Sequence, residues 1–122
     1  MRDDRTFLED ILARIDLVAS FTAEGREAFA QSRLVQEAVI RSLEIIGEAS
    51  RHLSEALREA HSEVPWRQIA AFRNFVIHAY WEIKLERVWE IVERDLPPLR
   101  SAVQAMLATL PTSDTPTSLS ES

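Results

Sequence analysis

The 122-residue sequence contains no cysteine, and it has no long apolar run. The absence of cysteine excludes a disulfide framework and any Cys-based metal site, and it fits a reducing compartment. No segment approaches the roughly 18 consecutive apolar residues that a membrane span requires. The N-terminal stretch MRDDRTFLED lacks the apolar core of a secretion signal. We therefore expect a cytoplasmic protein that makes no contact with a membrane.

Lysine is nearly absent too, because 13 of the 14 basic residues are arginine, and the formal net charge is −6. This acidic balance argues against broad adhesion to nucleic acid, which depends on many Lys and Arg contacts with phosphate. Arginine is nevertheless the side chain best suited to forked contacts with a phosphate group. A site for RNA on this chain would therefore be a focused pocket and not a basic surface.

Apolar residues recur at helical spacing along most of the chain. They predict a first helix over about residues 3–20, a second from the N-cap Ser32 to about residue 60, a third that begins at Pro65, and a last from Leu85 to Leu110. A connector with about one helical turn should lie between the first two. The sequence therefore predicts an all-α fold, an up-and-down bundle of four main helices.

The last helical pattern alternates spacings of four and three and keeps its phase through Pro97-Pro98. Two proline rings do not fit in a straight helix interior, so we expect a bend with both halves packed on the same neighbours. Residues 1–110 should form one domain, and the polar tail 111–122 should be disordered. The second helix carries more apolar surface than one contact face needs, which favours a homodimer.

Several features of the second helix and its surroundings have ordinary structural explanations. Gly47 costs about 1 kcal/mol relative to alanine inside a helix, and close helix–helix approach is the simplest reason for it. His52 and His61 are expected at the surface, and the spacing of the three histidines does not suggest a zinc site. The Glu44/Glu48 pair is expected on a solvated edge, with contact to a partner as the alternative.

The segment R-N-F-V-I-H-A-Y, from Arg73 to Tyr80, places ionisable residues in an otherwise apolar helix. Burial of an unpaired Arg or His is costly, so these side chains either form a paired network in the core or line a cleft. Asn74 and His78 share a helix face, whereas Arg73 and His78 point about 140° apart. Either the long Arg73 side chain curls around the helix, or a symmetry-related copy completes the site.

The same segment matches the Arg-x4-His-x-Tyr form of the signature of HEPN domains, and its surroundings resemble HepT-like proteins. The matching blocks are Ile45-Ile46-Gly47-Glu48-Ala49, Pro65-Trp66, Arg73-Asn74 and V-W-E-I-V-E-R-D-L-P-P-L from Val88 to Leu99. The likeness covers about residues 3–110. One departure is Ala71-Phe72, where relatives often have a glycine before the motif.

This resemblance implies a ribonuclease toxin that needs no metal or cofactor and is paired with a MntA-type minimal nucleotidyltransferase antitoxin, as in type VII toxin–antitoxin systems. It assigns the catalytic roles to Arg73 and His78, commonly at a dimer cleft, with Asn74 as a supporting polar residue. It also makes Tyr80 the residue that the antitoxin would AMPylate to silence the toxin.

The residue types suit that chemistry. A histidine can take a proton from a ribose 2′-hydroxyl or donate one to the leaving oxygen, and Arg73 could stabilise charge on the phosphorane. The expected products are a 2′,3′-cyclic phosphate and a 5′-hydroxyl. The alternative is a non-catalytic helical subunit that binds a nucleotide or a partner nucleotidyltransferase.

Overall fold

The computed structural model describes residues 3–74 and 85–110, and every regular element within these ranges is helical. This confirms the predicted all-α fold. The elements are α1 (Asp4–Phe21), α2 (Arg26–Gln31), α3 (Arg33–Arg51), α4 (Glu55–Ala60), α5 (Trp66–Ala70) followed by a 3₁₀ turn (Ala71–Arg73), α6 (Leu85–Glu90) followed by a π-helical segment (Ile91–Asp95), and α7 (Leu96–Thr109). None of the described helices is both long and apolar enough to cross a membrane.

Helix α1 forms where the sequence predicts it, to within one residue. The Asp3 carboxylate caps its N-terminus by accepting a hydrogen bond from the Thr6 backbone N–H. Leu8, Ile11, Ile15 and Val18 recur on one face and are buried. That face packs against both α3 and α7, so α1 lies at the centre of the bundle.

The second predicted helix is divided in two, so its predicted extent to about residue 60 is wrong. Ser32 does cap α3, with its Oγ 3.1 Å from the Val35 nitrogen, but α3 ends at Arg51. Ser54 then caps α4 and is itself anchored to α1, because the Asp4 carboxylate accepts from the Ser54 N–H at 2.8 Å and from its hydroxyl at 2.6 Å. The side-chain oxygens of Asp4 and Ser54 thus accept hydrogen bonds from the backbone N–H groups of Ser54 and Leu57, which a continuous helix would have paired with its own carbonyl groups.

Helix α5 begins directly after Pro65, which occupies the cap position next to the predicted first turn. Ile69 and Phe72 are buried against α3, and the chain tightens into the 3₁₀ turn that carries Arg73. The rest of the predicted third helix, its boundary near Trp81–Lys84 and the predicted tail 111–122 lie outside the described residues.

The predicted apolar phase is confirmed across Pro97-Pro98, where Leu96, Leu99, Val103 and Met106 are buried, and it is wrong before Leu96. Both prolines lie in the first turn of α7, and the five residues before it, Ile91–Asp95, are π-helical. A proline ring clashes with the carbonyl four residues earlier, and a wider turn over these residues relieves the clash. The fully buried positions are therefore Val88 in α6 and Ile91, the first residue of the π-helical segment, whereas Trp89 and Val92 are only partly buried.

Candidate active site

Gly47 determines how closely α3 approaches the segment that carries Arg73. A Cβ atom at Gly47 would lie 2.9 Å from the Arg73 backbone nitrogen, 3.0 Å from the Ala70 carbonyl oxygen and 3.1 Å from the Ile69 carbonyl oxygen. All three are backbone atoms, which cannot rotate away as a side chain can. The interpretation of Gly47 as a point of close helix–helix approach is confirmed, and the chain that approaches it is the one that leads into the candidate motif.

The Arg73 side chain extends from this contact towards Glu48, the residue that follows Gly47 on α3. Its Nε lies 3.4 Å from Oε1 of Glu48, and 33% of the side chain is exposed. The guanidinium is therefore partnered but not sealed in the core. The closest contact of this ion pair is made by Nε, and Glu48 is the acidic partner of Arg73 within residues 3–74 and 85–110.

Glu48 holds three basic side chains at once. Besides Arg73, its Oε2 lies 3.1 Å from His52 Nε2 and its Oε1 lies 3.2 Å from Arg51 Nη1. The hydrogen bond with His52, followed by the charges of Arg51 and Arg73, lowers the pKa of Glu48 below its ordinary value. The carboxylate therefore stays ionised at neutral pH, and it orients both the guanidinium and the imidazole.

These residues line an open groove of about 370 Å³ between α1, α3 and the 3₁₀ turn, here called the Arg73 groove. The His52 ring stacks on Phe7 with centroids 5.2 Å apart and planes 14° apart. The remaining lining residues are Asp10, Arg41, Glu44, Ile45 and Ala49. Arg41 is paired with Glu44, so the two charges largely offset each other.

Of the predicted site residues, the structure describes two. Arg73 lies on the groove, and Asn74 follows it as an exposed residue at the end of the 3₁₀ turn. His78 and Tyr80 lie outside the described residues, so their predicted roles stay predictions.

Sequence reasoning did not connect Glu48 or His52 with Arg73. Both were expected to be exposed, and this is confirmed because 48% of Glu48 and 54% of His52 side-chain area is accessible. Their four-residue spacing on α3 indicated a mutual contact. Nothing local indicated that Arg73 would join them, because that contact depends on how α3 meets the chain after α5.

The arrangement suits chemistry on a phosphodiester. A partly exposed guanidinium can bind and neutralise phosphate oxygens, and an imidazole held by a carboxylate can transfer protons. The groove is open to solvent, so a polynucleotide can reach it.

Comparison with known proteins identifies the family to which the chain is similar. The family model described as "Ribonuclease HepT-like" matches residues 11–106. A "Probable ribonuclease HepT" from Thermococcus cleftensis is 39% identical over 106 residues, which cover 86% of this chain and 96% of that protein. A Methanocaldococcus jannaschii protein provisionally named an RNase is 39% identical over 104 residues, covering 84% and 95% of the two chains.

A third relative, from Caldanaerobacter subterraneus and also provisionally named an RNase, is 36% identical over 108 residues, covering 88% of this chain and 96% of that protein. No solved structure gives a significant match.

Proposed function

The chain belongs to the HepT-like ribonuclease family, and from that premise we propose that it is a metal-independent endoribonuclease acting as the toxin of a HepT/MntA-like toxin–antitoxin pair. The observation that supports this proposal most directly is that the Arg73 guanidinium lies on an open groove and is held there by Glu48 of α3. Arg73 is the first residue of the segment that resembles the family motif.

The reaction is an internal transesterification. A base removes the proton from a ribose 2′-hydroxyl, the 2′-oxygen attacks the adjacent phosphorus, and the bond from phosphorus to the 5′-oxygen breaks. An acid donates a proton to that leaving oxygen, so the products are a 2′,3′-cyclic phosphate and a 5′-hydroxyl. Arg73 stabilises the charge that grows on the non-bridging oxygens, and His78 transfers a proton.

Glu48 is the positioning residue in this scheme. It fixes the Arg73 side chain through Nε, so the terminal nitrogens can face the phosphate in a preformed geometry. Its own negative charge would repel a phosphate if unpaired, but Arg51, His52 and Arg73 surround it. Replacement of Glu48 should therefore lower the rate by releasing Arg73.

The reaction needs two proton transfers, and two sources could supply the second group. One is His78 of a second protomer, which would make the homodimer the active form, with Asn74 helping to orient each imidazole. The other is His52, which lies in the Arg73 groove of the same chain and is held by Glu48. A His52→Gln variant decides between them, since it removes one arm of the pH–rate profile only if His52 is the acid or base.

Control by an antitoxin fits the same site. AMPylation of Tyr80, seven residues after Arg73, would add bulk and a negative phosphate near the place where the RNA phosphate has to bind. Arg73 would then pair with the adduct and no longer with the substrate. Mass spectrometry of the protein co-expressed with a neighbouring nucleotidyltransferase should find AMP on Tyr80.

The decisive test is cleavage of RNA by the purified protein in the presence of EDTA. Arg73→Ala and His78→Ala should each lower the rate by at least about a hundredfold, whereas the matched control Arg26→Ala on α2 should be unaffected. The new ends should be a 2′,3′-cyclic phosphate and a 5′-hydroxyl. Products with 3′-hydroxyl ends, or full activity of His78→Ala, would refute the mechanism.

A further inference from the structure

A second, larger groove of about 690 Å³ lies next to the Arg73 groove and holds an unusual concentration of arginine. We call it the arginine groove. It is lined by residues from the end of α3, from α4 and from α5, namely Arg51, Glu55, Arg58, Glu59, Ser62, Trp66, Arg67 and Ala70. Apart from Arg51, which helps to offset the charge of Glu48, none of these residues has a role in the reaction proposed above.

The two grooves meet at Glu48. Its Oε1 lies 3.2 Å from Arg51 Nη1, which lines the arginine groove, and 3.4 Å from Arg73 Nε, which lines the other. Ala70, also in the arginine groove, lies on the turn just before Arg73. Glu48 therefore links the two grooves, and a strand bound at Arg73 could extend towards the arginine groove.

Arg51 of this groove is paired with Glu48, but its other two arginines have no ion pair within the part of the chain that the structure describes. Glu55 and Arg58 are three residues apart on α4, a spacing at which ion pairs form, yet neither Arg58 nor Arg67 has an ion pair within the described ranges. The buried Nε of Arg58 also has no hydrogen-bond partner there. Glu55 and Glu59 line the same groove, so Arg58 and Arg67 offer individual guanidinium contacts to an anionic ligand and not a net positive surface.

Trp66 adds a flat apolar surface to this charge. Its indole N–H donates to the His61 carbonyl oxygen at 3.0 Å, which fixes the orientation of the ring. The ring is half-buried, and its remaining surface lines the groove. Arginines that track a backbone and an aromatic ring on which a base can stack are the two components of sites for single-stranded nucleic acid.

We propose that the arginine groove binds the single-stranded RNA that flanks the scissile bond, with Arg58 and Arg67 on its phosphates and a base stacked on Trp66. This inference rests on the proposed ribonuclease function for the identity of the ligand. It adds a substrate site outside the catalytic groove, and it predicts that longer RNA is a better substrate than a dinucleotide that fills the Arg73 groove alone.

The test is the affinity of the protein for a fluorescent single-stranded oligonucleotide of about 12 nucleotides, within the site sizes of single-strand binders. A 2′-O-methyl oligonucleotide cannot be cleaved, so binding is measured by anisotropy on the active protein. Arg67→Glu should weaken binding about tenfold or more. The salt dependence, as log affinity against log salt, should become shallower by about 0.7 for each phosphate that the variant no longer binds.

Arg26→Glu is the matched control. It makes the same charge change at an exposed arginine of α2, which precedes the N-terminus of α3, about 27 Å along that helix from Arg51. Its affinity should stay within about twofold of the parent, as expected when only net charge changes far from the ligand. Equal decreases in affinity for Arg67→Glu and Arg26→Glu would overturn the proposal, as would an RNA affinity of Arg67→Glu that is unchanged from the parent.

Cleavage assays separate this proposal from the proposed function. Arg67→Glu should lower kcat/KM for a long RNA about tenfold and leave kcat/KM for a dinucleotide unchanged, because the dinucleotide does not reach the groove. A parallel decrease on both substrates would overturn the groove proposal, since Arg67 would then act on the cleavage step or on folding. If the parent protein cleaves neither substrate, the ribonuclease proposal fails, and the anisotropy comparison still decides the groove.

Discussion

Replacement of Gly47 by alanine tests the contact on which the candidate active site depends. In an exposed helix interior this change would stabilise α3 by about 1 kcal/mol, because alanine has the higher helix propensity. At this position the new Cβ meets backbone atoms at 2.9, 3.0 and 3.1 Å. Contacts this short require α3 and the 3₁₀ turn to separate by a few tenths of an ångström.

The two effects oppose each other, and the overlap should prevail. Overpacking of a well-packed contact typically costs about 1–3 kcal/mol, so the variant should be destabilised by about 0–2 kcal/mol and not stabilised. The larger effect should be on activity, because the displaced backbone belongs to Arg73 itself. A shift that loosens the pairing of Arg73 with Glu48 should lower the rate of RNA cleavage by about tenfold to a hundredfold.

Urea denaturation and RNA cleavage of Gly47→Ala measure the two effects. Ala105→Gly, at an exposed position inside α7, measures the propensity difference where there is no contact and should cost about 1 kcal/mol. A Gly47→Ala protein that gains the full 1 kcal/mol of propensity and cleaves RNA at the parent rate would show that the close approach at Gly47 is not needed.

Three further changes test single contacts. Glu48→Gln should be less stable than the parent at neutral pH. Because folding lowers the pKa of Glu48, the difference in stability should shrink as the pH falls below the ordinary value of 4.5. Urea midpoints of both proteins, measured as a function of pH, check this. Arg73→Lys keeps the charge but loses the planar fork, so cleavage should fall by about a hundredfold with an unchanged urea midpoint, and parent-like cleavage would contradict a forked contact. Ser54→Ala removes the cap of α4 and the hydroxyl bond to Asp4, so it should cost about 1–2 kcal/mol of unfolding free energy, and a decrease below about 0.3 would show that the cap contributes little.

Most of the fold followed from local patterns in the sequence. The apolar spacing of Leu8, Ile11 and Ile15 predicted α1, and the hydroxyl of Ser32 predicted the start of α3. The break between α3 and α4 did not follow, because the apolar pattern runs through it: Leu53 and Leu57 are buried on either side of Ser54. What stops the helix there is a bond to Asp4, 50 residues earlier in the chain, and no local pattern reports such a bond.

The candidate site shows the same division. The motif residue Arg73 and the close approach at Gly47 were predicted separately, each from its own stretch of sequence. That the two are one feature, with Glu48 on the next position of α3 holding the guanidinium, depends on tertiary packing. An acidic residue with 48% exposure is normally a solvated one, and only the fold makes it a positioning residue.

The π-helical segment before α7 shows how a sequence pattern can be correct in period and wrong in phase. Counting apolar residues back from Leu96 at spacings of four and three reaches Val92 and Trp89, but the fully buried residues are Ile91 and Val88. The extra residue in the wide turn accounts for the shift by one position, and the cause is Pro97-Pro98 in the first turn of α7. Trp89 is thereby rotated from the centre of the core to its edge, where its ring meets Phe29 of α2 at a centroid distance of 5.3 Å. The prolines therefore determine which residues of the preceding turns are fully buried, namely Val88 and Ile91, and which lie at the edge of the core, as Trp89 does.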